Sequence, residues 1–206
     1  MKQDTRQEIL SAAKKLFNER GYNAVSVQDI AGALGISKGN LTYHFKKKEN
    51  IVEAIIAESP GGPPDAAPKD LGEMDCFLLD IQQVVQENAY YFWHHAQLSQ
   101  LSPKIREAQK AVYQRNTGLL VRAFETFLRK GLIRGEEFPG EYRRLIDTIL
   151  LSGIYWLPFC ALKQGRTKDY RRHAWSILYP ALTKRGKNKL RDSIGVDFFD
   201  PQQGTE

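Results

Sequence analysis

Residues 26–45, SVQDIAGALGISKGNLTYHF, admit very few backbone paths. Ser26 stands three places before Asp29 as a capping box, with Val25 and Ile30 placed as the hydrophobic staple around it. A helix is therefore expected to start at Ser26 or Val27. Ile30, Ala31 and Leu34 supply its inward face, Gly35 allows the backbone to reverse, Ile36 plugs the turn, and Ser37 caps a second helix running to about His44. That order is the grammar of a helix-turn-helix.

The second helix keeps Leu41 and Phe45 for the core, four apart on one face, and turns Lys38, Asn40, Thr42, Tyr43 and His44 elsewhere. Gly39 costs a helix about 1 kcal/mol relative to alanine. A missing side chain also lets the backbone approach a phosphate or a groove wall. The competing reading is a solvated surface helix with a tolerated glycine; the whole ordered string favours a recognition helix docked in DNA by its N-terminal end. On that reading Lys38, Asn40, Thr42, Tyr43 and His44 discriminate sequence, while Ser26 and Ser37 orient the helix pair on the backbone. Asn40 has the alternative of meeting only phosphate, because Gly39 permits a close approach.

From Thr5 to about Ala57 the chain resembles the N-terminal domain of the tetracycline-repressor (TetR) family of bacterial transcriptional regulators. The matching positions are Phe17, Gly21-Tyr22, Ser26, Ile30-Ala31, Gly35, Ser37-Lys38-Gly39, Tyr43-His44-Phe45 and Lys48-Glu49. The resemblance implies a variable C-terminal helical domain that binds a small molecule and dimerises, and a fourth helix that transmits ligand occupancy to the DNA-binding head. It also implies that Lys48 holds phosphate, and the helix N-terminus at Lys48 reads independently as a phosphate grip. The expected function is a homodimeric repressor of a pseudo-palindromic double-stranded operator, released by a small hydrophobic or aromatic effector of unknown identity. The alternative is a DNA-binding regulator without a small-molecule effector.

Charge is distributed unevenly. Residues 1–50 balance to +4, residues 51–100 to −7 and residues 101–206 to +9. The basic head fits a polyanion partner. No glycine-rich phosphate loop, GxSxG or HExxH occurs, so no enzyme is expected and no cofactor. His44, His94, His95 and His173 show no metal-ligand spacing, and no metal is expected. Cys76 and Cys160 read as buried small hydrophobes. No apolar run reaches the roughly 18 residues that span a bilayer, and the first residues do not resemble a signal peptide. A cytoplasmic protein without membrane contact is expected.

The fold class expected is all-α: an N-terminal three-helix DNA-binding domain with the helix-turn-helix, then a C-terminal helical ligand-binding and dimerisation domain. Residues 1–58 form the DNA-binding domain with its connecting helix; Thr5 and Glu8 read as a capping box opening its first helix, which Gly21 stops. Residues 59–70 form a linker, since four prolines and two glycines fall between Ser59 and Pro68. Residues 71–185 form the second domain and 186–206 a frayed tail, whose Lys/Arg cluster reads as a solvated face.

Within the second domain, Phe77, Ile81, Val84, Val85, Asn88, Phe92 and His95 trace one face of a long helix. Shorter helices are expected near 103–112 and 119–128. The segments 141–162 and about 168–184 are expected to pair with symmetry mates as a four-helix dimer interface, the first being apolar nearly all round. An aromatic concentration there suggests a cavity lined by Asn88, Phe92, His95, Tyr113, Asn116, Phe124, Phe127, Tyr155, Trp156 and Phe159. Core and interface packing is the competing explanation for each of these aromatics.

Overall fold

A computed structural model describes residues 2–58, 66–163 and 169–195. Among them the chain is all-α, with an isolated antiparallel bridge between Ile133 and Leu182 as its extended pairing. The helices are α1 (Lys2–Arg20), α2 (Val27–Ala33), α3 (Lys38–His44), α4 (Lys48–Glu58), α5 (Leu71–Glu87), α6 (Ala89–Trp93), α7 (His95–Leu101), α8 (Pro103–Arg129), α9 (Glu141–Ile154), α10 (Trp156–Leu162), α11 (Tyr170–Leu178) and α12 (Lys184–Ile194), with a 3-10 turn at Tyr179–Ala181. No single described helix is long and apolar enough to cross a membrane.

The chain divides into two compact units. One comprises Met1–Gly61 and Glu87–Ala111; the other comprises Gly62–Gln86 and Val112–Glu206. The first is larger than the head expected at residues 1–58, because α6, α7 and the start of α8 join its core. Tyr90, Leu98 and Ile105 are buried with Ile9, Phe17, Val25, Ile30, Leu41 and Ile51. The Tyr90 ring lies 5.3 Å from that of Phe17. The Asn18 side chain accepts from the Tyr90 amide and donates to the Glu87 carbonyl.

This capture breaks the long helix expected through His95. The backbone leaves helical geometry at Asn88 (φ −123°, ψ 39°) and again at His94 (φ −114°, ψ 16°). Farther on, Asn23 and Gln97 exchange side-chain amide hydrogen bonds at 3.0 and 3.3 Å. The Ser102 hydroxyl donates to Glu53 of α4 and accepts from the Lys104 amide at 3.2 Å, capping α8.

Helix α8 is continuous from Pro103 to Arg129 where two helices were expected. Gly118 costs it about 1 kcal/mol, which burial of Leu119 and Leu120 beside it outweighs. The segment 141–162 is two helices instead of one, bent by 68° at the break. Pro158 lacks the amide that would bond Ile154, so the ladder stops at Tyr155. The helix expected to reach 184 stops at Leu178, just before Pro180.

A buried polar knot joins α5 and α11: Asp75 accepts from Arg171 Nε at 2.6 Å and from Trp175 Nε1 at 2.9 Å. Arg134 makes a bidentate pair with Glu141, whose carboxyl it holds down at about 2.

Two expectations are corrected at the surface. Cys160 is buried, but Cys76 is exposed. Residues 184–194, mostly assigned to a frayed tail, form α12, capped by Thr183 and docked through buried Gly186 and Leu190. The cations of α12 crowd its outer side, so its apolar signal was reduced to positions four apart. The pair Phe198-Phe199, like residues 59–65 of the linker, lies outside the described residues. A Cβ on Gly186 would stand 2.0 Å from the Leu132 carbonyl oxygen. Gly186→Ala is expected to cost about 1–3 kcal/mol in chemical denaturation, as overpacking does in a closed site, whereas Lys189→Ala on the outer side stays within about 0.5 kcal/mol.

Candidate nucleic-acid interface

The helix-turn-helix is built as its sequence requires. Ser26 caps α2: its hydroxyl accepts from the Asp29 amide, while its own amide donates to the Asp29 carboxylate at 2.7 Å. Hydrogen bonding from Ser26 lowers the Asp29 pKa. Gly35 takes φ +65°, the left-handed value that makes the reversal after α2. Ser37 then caps α3 by accepting from the Asn40 amide at 3.1 Å. Thr5, expected to open the first helix, lies within α1, which begins at Lys2.

Helix α3 is anchored from below and open above. Leu41 is fully buried and Phe45 nearly so, whereas Lys38, Gly39, Asn40 and Tyr43 are exposed, Tyr43 to 72%. Thr42 and His44 are half-buried. The Thr42 hydroxyl donates to the Gly39 carbonyl at 3.1 Å, and the His44 ring meets Tyr43 edge to face at 5.3 Å. The nearest neighbour of a Cβ on Gly39 would be Ser37 Oγ at 3.8 Å, an ordinary contact. Internal packing therefore gives no reason for glycine at a helical position that prefers almost any other residue.

Lys48 is placed differently from the phosphate grip expected of its side chain. Its ammonium donates to the carbonyls of Tyr22 and Val25, both at 2.8 Å, and lies 4.0 Å from the centre of the Tyr22 ring. Burial lowers its pKa. The same burial, with Glu49 beside the hydroxyl, pushes Tyr22 up to about 12. The side chain thus ties α4 to the turn between α1 and α2. Lys46 and Lys47 are exposed in the connection from α3 to α4. The basic triplet marked them in the sequence, but only the structure separates the inward lysine from its outward neighbours.

The residues expected to line a cavity fall into both units. Asn88, Phe92 and His95 belong to the first, and Tyr113, Asn116, Phe124, Phe127, Tyr155, Trp156 and Phe159 to the second. Burial lowers the His95 pKa. In the second unit Phe124 and Phe127 are buried with ring centres 6.4 Å apart. Trp156 is buried 4.9 Å from His173 and 5.7 Å from Tyr170. Tyr113 is exposed and donates to Asp147 at 3.0 Å, while Tyr155 and Phe159 are 46% and 39% exposed.

Residues 9–55 match the model of bacterial regulatory proteins of the tetR family, and residues 70–190 match one described as bacterial transcriptional repressor. The chain belongs to the tetR family. Over 55 residues it is 47% identical to the HTH-type transcriptional repressor KstR2 of Rhodococcus jostii, covering 27% of each chain. It is 47% identical over 51 residues to the HTH-type transcriptional regulator QacR of Staphylococcus aureus, covering 25% of this chain and 27% of that one. These matches span about a quarter of the relatives' length.

A tetR-family regulator from Marinobacter aquaeolei shares the fold with a TM-score of 0.77 at 21% identity, over 91% of this chain and 96% of that one. A transcriptional regulator from Saccharomonospora viridis, solved in complex with choline, gives 0.66 at 22% identity, over 89% and 100%.

If Lys48 closes the tetR-type head as described, Lys48→Met costs about 2 kcal/mol of stability, the loss of charge-assisted hydrogen bonds. The double change Lys46→Ala with Lys47→Ala stays within about 0.5 kcal/mol. Urea denaturation of the three proteins checks the contrast.

Proposed function

We propose that this chain is a homodimeric transcriptional repressor that reads a pseudo-palindromic operator with α3. The observation that carries the reading is α3 itself, a short capped helix fixed by Leu41 and Phe45 with hydrogen-bonding side chains on its exposed side. Lys38 and Asn40 have the donors to reach guanine or adenine edges, and exposed Tyr43 has a ring for sugar or a thymine methyl. Thr42 and His44 flank them. Ser26 and Ser37, whose hydroxyls serve as caps, contribute by orienting the two helices. Gly39 brings the backbone to the strand, which supplies the reason for glycine that internal packing does not. Phosphate contact falls to Lys46, Lys47 and the first amides of α4, with the Lys48 side chain as a brace.

Dimerisation is supported by the surface of α9 and α10, where Leu151, Tyr155, Phe159 and Leu162 are 59%, 46%, 39% and 84% exposed. Apolar side chains so concentrated on one bent helix pair belong in an interface. Two copies then offer two recognition helices to successive major grooves. A small effector bound in the second unit favours a separation of the heads that fits the operator poorly, and so lowers affinity. The choline held by the Saccharomonospora viridis regulator makes a small-molecule effector a reasonable expectation for a chain of this fold.

Selection of duplexes from a random library, followed by binding to variants of the winner, tests the reading. Asn40→Ala or Lys38→Ala should lose about 1–3 kcal/mol of discrimination at one half-site position and its symmetry mate. Gly39→Ala should stabilise the folded head by up to about 1 kcal/mol and still weaken binding. An unchanged preferred sequence across all three variants would refute the assignment to α3. In sedimentation the intact protein is expected to run as a dimer at micromolar concentration, and Leu151→Glu with Leu162→Glu as a monomer that fails on the full operator.

A further inference from the structure

The interior of the second unit is unevenly satisfied. Its buried polar or charged residues, among those described, are Asp75, Asn116, Thr117 and Glu141. Both carboxylates are closed by the protein: Asp75 by Arg171 and Trp175, Glu141 by Arg134 and by the Glu137 amide at 2.8 Å. Asn116 Oδ1 and Thr117 Oγ1, adjacent on α8 in residues only 8% and 6% exposed, have no hydrogen-bond partner.

A buried threonine in a helix has an easy remedy, which is to donate back to the carbonyl four residues earlier. Three less buried hydroxyls of this chain make that bond: Thr126 donates to the Arg122 carbonyl at 2.9 Å, Thr148 to that of Arg144 at 2.8 Å and Ser176 to that of Arg172 at 2.9 Å. Thr117 forgoes the bond. Unpaired buried polar atoms are costly, and two at successive positions of α8 in an otherwise saturated interior call for a partner.

We infer that Asn116 and Thr117 hold the polar end of an uncharged, mostly apolar molecule that carries a hydroxyl or amide donor. This rests on the proposal that an effector binds the second unit, and it names the effector's chemical class. A hydroxyl or amide N–H can donate to Asn116 Oδ1, and the hydroxyl or amide oxygen can accept from Thr117 Oγ1. Leu119, Leu120, Phe124 and Phe127, buried on the next turns of α8, supply apolar surface for the body of the molecule. A carboxylate or an ammonium is rejected, because the two buried carboxylates of this interior are already paired and an added charge would be buried without a counter-ion.

The test uses the full-length protein and three probes sharing one hydrocarbon body: phenylbutanol, phenylbutyrate and phenylbutylamine. The alcohol is expected to raise the thermal midpoint and to bind about tenfold or more tighter than the anion or the cation. Thr117→Val and Asn116→Leu should each abolish that preference, and Thr117→Ser should keep it. In the free protein Thr117→Val should leave the midpoint unchanged or raise it, since it removes an unpaired hydroxyl; a lowered midpoint means the hydroxyl already has a partner and overturns the inference. So do equal binding of all three probes, no binding of the alcohol, or a preference that survives both substitutions. Affinity for a selected duplex is measured in parallel. Alcohol binding that needs Thr117 but leaves DNA affinity unchanged supports the site and overturns effector control.

Discussion

The Lys48 ammonium, bonded to the carbonyls of Tyr22 and Val25 and resting on the Tyr22 ring, is the contact on which the reading head depends. Those carbonyls belong to the stretch that leads from α1 into α2, and Lys48 is the first residue of α4. One side chain therefore fixes both ends of the helix-turn-helix, and α3, only seven residues long, needs such outside support because isolated helices of that length do not persist in water. Its own anchors, Leu41 and Phe45, then set which side is left open. Placing a cation here carries a desolvation cost, visible as a lowered pKa, which two carbonyl dipoles and an aromatic face offset.

The same head is larger than a minimal three-helix domain. Asn18, Asn23 and Glu53, on α1, the following turn and α4, each hold a residue from the 87–111 stretch: Tyr90, Gln97 and Ser102 respectively. These are side-chain hydrogen bonds, cheap to exchange for water, set around a core that buries Tyr90, Leu98 and Ile105. The apolar part keeps α6 and α7 in place and the polar part fixes their register.

Much of the head was legible because its instructions are local. The Ser26-Asp29 cap, the Ser37 cap and the left-handed Gly35 each act within a few residues, and each formed as the spacing implies. The exposure of Lys38, Asn40 and Tyr43 follows from the placement of Leu41 and Phe45 by helical period. Elsewhere the same reasoning failed in a consistent way. Apolar spacing through Asn88 and His94 reads as one helix, yet tertiary capture of Tyr90 breaks it twice. Basic α12 reads as a solvated tail, since two buried positions four apart are a faint signal beside five cations.

By itself, then, the order of residues determined an all-α chain, the caps and turn of the helix-turn-helix, and the polar character of α3, because these depend on backbone sterics and on neighbours within one or two turns. Only the tertiary structure decided that Lys48 faces inward while Lys46 and Lys47 face out, that α6 and α7 belong with the head, and that Asn116 and Thr117 are buried without partners. Each of those outcomes turns on groups tens of residues apart in sequence, and spacing along one chain carries no record of which distant carbonyl or ring a side chain will meet.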